Sequence, residues 1–158
     1  MKNTSLCYIE KDGAYLMMHR TKKESDENEG KWIGIGGRFE EGESPDECAA
    51  REIFEETGLS VRDLRCRAIV TFVSDEWGTE YMHLFTAVSD TDIVTECDEG
   101  DLKWIKKEDV PSLNVWEGDR IFLKLLAEGR VFFLLKLIYE KDKLTTAILD
   151  GKKLRPDL

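Results

Sequence analysis

Apolar and polar positions alternate along this chain in short stretches, and the period changes from segment to segment. Residues 6–10 and 15–19 read as strands, and Lys11-Asp12-Gly13 between them has hairpin-turn chemistry, since Asp and Gly accept the backbone angles such turns need. Residues 21–30 are charged without an apolar period and predict a loop. Residues 31–37 predict a strand running into a glycine-rich turn at Gly34, Gly36 and Gly37. Strands are predicted again at 64–73, 81–88 and 102–105, with a turn at Trp77-Gly78-Thr79. A last hairpin is predicted from 131–139 and 144–149 around Lys141-Asp142-Lys143.

Two stretches carry helical signals instead. Ser44 is a capping residue, Pro45 fits the first helical position, and Glu47 completes a Ser-x-x-Glu capping box. The helix should run to about Thr57, where Gly58 stops it. Ala50, Phe54 and Thr57, flanked by Ile53, are expected to form its core face, with Glu52, Glu55 and Glu56 roughly opposite. Residues 116–128 predict a second amphipathic helix, with Ile121, Phe122 and Leu125 inward and Gly129 ending it. No repeat or linker interrupts this order. The expectation is one mixed α/β (α+β) domain over residues 1–150, followed by a basic tail, 151–158, that should fray.

Bulk properties narrow the class. With 158 residues, 41% apolar and 35% charged, the chain is expected to be globular around a single core. The apolar run at 131–135 is stopped by Lys136, far short of the roughly 20 residues of a membrane span, and no signal-peptide core opens the sequence. A cytoplasmic protein without a membrane role is expected, as a monomer or a homodimer. A net charge of −10 argues against gripping long nucleic acid, because phosphate neutralisation needs a basic face. It leaves room for a small phosphorylated ligand arriving with metal ions. Cys7, Cys48, Cys66 and Cys97 form no Cys-x-x-Cys pair and read as reduced thiols. His19 and His83 stand alone in strand-like runs and read as packing residues, as does Trp32.

Glu52, Glu55 and Glu56 stand at i, i+3 and i+4, so three like charges crowd one helix face, with Glu43 just upstream. Such a run is usually a solvated surface. Here three glycines precede it, which lets backbone approach a ligand closely, and Arg51 lies within it to orient carboxylates. All-oxygen donors on one rigid element suit Mg²⁺ or Mn²⁺, which complete their shells with substrate phosphates.

The segment Gly37-Arg38-Phe39-Glu40-Glu41-Gly42-Glu43-Ser44-Pro45-Asp46-Glu47-Cys48-Ala49-Ala50-Arg51-Glu52-Ile53-Phe54-Glu55-Glu56-Thr57-Gly58-Leu59 resembles a complete Nudix box, with every fixed position filled. The resemblance implies the family's αβα sandwich with a mixed sheet, and Mg²⁺-dependent water attack on a pyrophosphate linkage. It also implies roles. Glu52, Glu55, Glu56, the Gly36 carbonyl and the distant Glu99 would hold metal. Glu52, Glu55 and Arg51 would be catalytic, and Glu43 and Arg51 would orient the glutamates. Arg20, Lys23, Ile33, Gly37 and Arg38 would meet substrate.

A further segment, Trp116-Glu117-Gly118-Asp119, resembles the Trp-x-x-Asp of oxidised-purine nucleoside triphosphate diphosphatases, implying that Trp116 stacks on a purine and Asp119 reads its edge. One departure stands beside it. The residue after Trp32 is Ile33, where those enzymes carry an Asn that hydrogen-bonds the base, so specificity for an 8-oxo-dGTP-like substrate is expected to be modest. ADP-ribose, a dinucleotide or a capped RNA end is the alternative substrate, and a non-catalytic nucleotide sensor the alternative class.

Overall fold

The computed structural model describes residues 1–22 and 26–155. Lys23, a candidate phosphate contact, lies outside them. In chain order the elements are β1 (Lys2–Lys11), β2 (Ala14–His19), β3 (Trp32–Ile33), β4 (Ile35–Arg38), α1 (Pro45–Thr57), β5 (Arg62–Ser74) and β6 (Gly78–Val88). Then follow β7 (Asp101–Lys106), a 3₁₀ turn (Lys107–Ser112), α2 (Glu117–Ala127), β8 (Phe133–Glu140), β9 (Lys143–Leu149) and β10 (Lys152–Lys153).

The strands form one mixed sheet in the order β10-β9-β8-β5-β6-β1-β2-β3, with β4 beside β1 and β7 beside β2. The β1–β6 and β5–β8 pairs are parallel and the rest antiparallel. β1 is the branch point. Its Lys2–Glu10 part pairs with β6, its Thr4–Cys7 part with β4, and its Glu10–Lys11 end with β2.

Period-two alternation sends neighbouring side chains of β1 and β2 into different cores. Cys7, Ile9, Leu16 and Met18 bury with Ala49 and Ile53 of α1. Tyr8, Tyr15 and Met17 bury with Phe122, Leu123 and Leu125 of α2. One helix therefore covers each face, and the fold is an αβα sandwich. Burying a side chain as fully as Phe122 contributes about 1.5–3 kcal/mol, so each helix is held chiefly by its inner face.

The caps of α1 follow the sequence. The Ser44 side chain accepts the Glu47 N–H, Glu47 reaches back to the Ser44 N–H, and Gly58 closes the helix at φ 75°. Its buried face differs from expectation. Cys48, Ala49, Ile53, Glu56 and Thr57 are buried, while Phe54 is 62% exposed. The inner face is rotated towards the glutamates because α1 packs on the short β4 as well as on β1. Gly36 and Gly37, expected in a turn, are ladder residues of β4 opposite Leu6 and Ser5. In the segment read as a tail, Lys152 and Lys153 pair with Leu149 and Ile148 of β9.

Candidate active site

Gly36 and Gly37 set how closely β4 can approach its neighbours. A Cβ on Gly36 would overlap the Ser5 carbonyl oxygen, and one on Gly37 would lie 2.6 Å from Glu52 Oε1. Only glycine at 37 lets the Glu52 carboxylate lie against the strand.

Arg51 organises the acidic face. Its Nε and Nη2 donate to Glu43 at 2.6 and 2.9 Å, and Nη1 donates to Glu52 at 2.8 Å and Glu55 at 3.2 Å. Nη2 also reaches the Arg38 carbonyl at 3.1 Å. The guanidinium hydrogen bond holds the Glu43 carboxyl down at about 2. Glu52 moves the other way, because its burial outweighs the pull of Arg51.

Glu56 is the deepest of the three helix glutamates. Burial pushes its pKa up to about 10, and the neighbouring Glu99 and Glu52 add to the rise. Its Oε2 is buried with no hydrogen-bond partner among the described residues. Glu99 is held by Arg20 at 2.9 Å, and Arg20 also pairs with Asp26 at 2.7 Å. Arg20, for which the resemblance implied a substrate contact, is thus a buried partner of two carboxylates.

Among the described residues no three His, Cys, Asp or Glu side chains stand as a ready-made metal cluster. Arg51 holds Glu52 and Glu55 instead, and Arg20 holds Glu99. The donor set nevertheless fits a hard divalent cation. An orphaned buried carboxylate oxygen, with two further carboxylates beside it, is a site lacking positive charge.

Glu52, Glu56, Glu99, Arg20, Gly36, Gly37 and Arg38 line one cleft of about 540 Å³. Glu55 does not line it and is exposed. The same cleft is lined by Ile33, Phe72, Met82, Trp116, Asp119 and Tyr139. The Trp116 indole is fixed from several sides. Its Nε1 donates to Asn28 Oδ1 at 2.9 Å, Tyr139 meets it edge-on at 5.3 Å, and Lys31 Nζ lies 4.8 Å from its ring centre. The Tyr139 hydroxyl accepts the Gly118 N–H at 2.8 Å, which ties β8 to the first turn of α2. Asp119 is 3% exposed, and burial, with Glu80 adding, pushes its carboxyl up to about 8.

Between the two ends lies a polar stretch that sequence reading did not single out. Lys2 pairs with Glu27 at 2.6 Å and Glu80 at 3.6 Å, and the Thr4 hydroxyl donates to Glu80 at 2.6 Å. Lys2 and Thr4 meet Glu80 through the parallel β1–β6 pairing, for which no local sequence signal exists. His19 stacks on Trp32 at 4.4 Å, and His83 Nδ1 lies 3.1 Å from the Thr4 carbonyl oxygen, so both histidines have packing roles.

A model of the NUDIX domain matches residues 2–126. The chain belongs to the Nudix family. It is therefore a hydrolase of phosphoric anhydride bonds, in a family that acts on small nucleotide substrates and generally uses divalent cations.

This Nudix hydrolase is 28% identical over 136 residues to the uncharacterised Nudix hydrolase YvcI of Bacillus subtilis, covering 82% of each chain. It is 32% identical over 105 residues to the oxidised purine nucleoside triphosphate hydrolase of Mus musculus, covering 65% of this chain and 67% of that one. The solved MutT protein of Bacillus halodurans superposes with a TM-score of 0.84 at 25% identity, over 95% of this chain and 98% of that one. Among the described residues no helix is long and apolar enough to cross a membrane.

Proposed function

We propose that this Nudix hydrolase is a Mg²⁺-dependent pyrophosphohydrolase of purine nucleoside triphosphates, acting on an oxidised purine such as 8-oxo-dGTP and releasing the monophosphate and pyrophosphate. One observation carries the reading: a single cleft is lined by Glu52, Glu56 and Glu99 and also by Trp116 and Asp119. It thus combines cation-binding oxygens with an aromatic face and a buried carboxyl suited to a base. The name of the mouse relative agrees with that substrate class.

Glu56, Glu52, Glu99 and the Gly36 carbonyl would hold the cation. Glu55 lies outside the cleft lining and would join them by turning in from its contact with Arg51. A divalent ion supplies two things at such a site: neutralisation of phosphate charge and acidification of the attacking water. Glu52 would take the proton of the attacking water, and Arg51 keeps its carboxylate aimed. Arg38, at the rim of β4, meets phosphate oxygens. Trp116 stacks on the purine and Asp119 hydrogen-bonds its edge.

The test is a panel of nucleotides assayed with Mg²⁺ and with EDTA, the products resolved by chromatography. Monophosphate and pyrophosphate from purine triphosphates, lost in EDTA, is the expected result. Cleavage confined to ADP-ribose, dinucleotides or capped RNA would refute the substrate and keep the family. Binding without cleavage would mark a nucleotide sensor.

A further inference from the structure

The polar side chains lining the cleft towards Trp116 include Lys2, Thr4, Glu27 and Glu80, which bond one another, together with Asp119, Tyr139 and Asn28. Tyr139 Oη accepts the Gly118 N–H. Ile33, Leu6, Phe72 and Met82 are apolar. Asn28 brings a side-chain amide to the same end of the cleft. Its orientation is chemically determined, because the indole Nε1 is a donor only and the atom it meets at 2.9 Å must be the amide oxygen. The amide nitrogen is then left with two N–H groups and no partner among the described residues, in a side chain that lines the cleft. A ligand that covers these groups without accepting a bond from them loses affinity.

We propose that Asn28 is a base-reading residue, whose amide N–H donates to an acceptor on the edge of the base stacked at Trp116, so that the site selects bases presenting a carbonyl there over bases presenting an amino group. The inference rests on the purine nucleotide reading and deepens it. Asn28 acts twice: its oxygen anchors the stacking ring, and its nitrogen reads the base. Because the anchor fixes the oxygen, the amide cannot flip to offer an acceptor to an amino group. The preference is therefore built into the Trp116 contact.

Hypoxanthine and adenine nucleotides test this, since they differ at the six-position and its adjoining ring nitrogen. In wild type dITP should exceed dATP in kcat/KM, and IMP should bind more tightly than AMP by calorimetry. Asn28→Asp retains an oxygen for Trp116 and replaces the donor with an acceptor. It should shift both the dITP:dATP and the IMP:AMP ratios towards adenine by about tenfold or more. Asn28→Ala should weaken both ligands and reduce the ratios towards one. Unchanged ratios in Asn28→Asp, with purine nucleotides still bound, would overturn the role of Asn28 alone. Failure of wild type to bind or cleave any purine nucleotide would overturn the underlying substrate reading, and this inference with it.

Discussion

The Gly37 backbone lies against the Glu52 carboxylate so closely that a methyl group on Gly37 would come within 2.6 Å of Oε1. The glycine of β4 and the glutamate of α1 thus share one volume, and each defines where the other can be. Gly37→Ala should displace the carboxylate while leaving the β1–β4 ladder intact. A displacement of about 1 Å in a reacting group costs on the order of 10²-fold in rate. The expected outcome is a loss of that size in kcat with a melting temperature within a few degrees of wild type. Full activity in Gly37→Ala would show that Glu52 has no positional role in catalysis.

Glu52→Gln should be at least as damaging as Gly37→Ala, because it removes the proton acceptor itself. Turnover should fall by about 10²–10⁴-fold, the range of general-base contributions. The Arg51–Glu43 pair should keep the helix face ordered. Pyrophosphate release and circular dichroism on the same preparation check both halves.

Glu56 gives a prediction about pH without metal. Folding raises its carboxyl from 4.5 to about 10, so the folded state binds the proton more tightly than the unfolded state. The stability it contributes is complete below the unfolded value and is lost as pH rises from about 4.5 through about 10. In EDTA the melting temperature of wild type should therefore fall between pH 6 and 9, and Glu56→Gln should flatten that slope. Saturating Mg²⁺ should oppose the fall in wild type only. At a hundredfold excess over Kd the gain is about 2.7 kcal/mol, or about 5–10 °C for a chain of this size. A slope in EDTA that is unchanged by Glu56→Gln would remove Glu56 as its source.

The box residues were legible because they are local. Capping, helix stop and carboxylate spacing all lie within one segment, and the structure keeps that segment as one helix with its feeding loop. The buried face of α1 was not legible, since periodicity places glutamates outward by default. Here Glu56 is buried beside Glu99 while Phe54 is exposed. The middle of the cleft was hidden for another reason. Lys2, Glu80 and Asn28 come from distant segments and meet only when β1 pairs with β6 and the 26–30 turns reach Trp116. Ile33 lines the cleft with an apolar side chain, and the amide near Trp116 comes from Asn28, whose loop carries no periodic signal.

Asp119 carries the last prediction. It sits in the first turn of α2, nearly solvent-free, and burial holds its carboxyl up to about 8. Below that pH it is protonated and can donate to a base acceptor; above it, it can only accept. The kcat/KM ratio of 8-oxo-dGTP to dGTP should therefore change between pH 7 and 9 in wild type. In Asp119→Asn, whose amide does not titrate, the ratio should be constant across that window. Stability supplies an independent readout. The folded pKa is raised from 3.8, so this contribution is present in full at low pH and is lost as pH rises through about 8. Asp119→Asn should consequently melt higher than wild type at pH 9 and close to it at pH 5. If the stability change appears and the substrate ratio is the same in both proteins at every pH, Asp119 is a buried carboxyl of the α2 core that does not touch the base, and the purine edge is read elsewhere in the cleft.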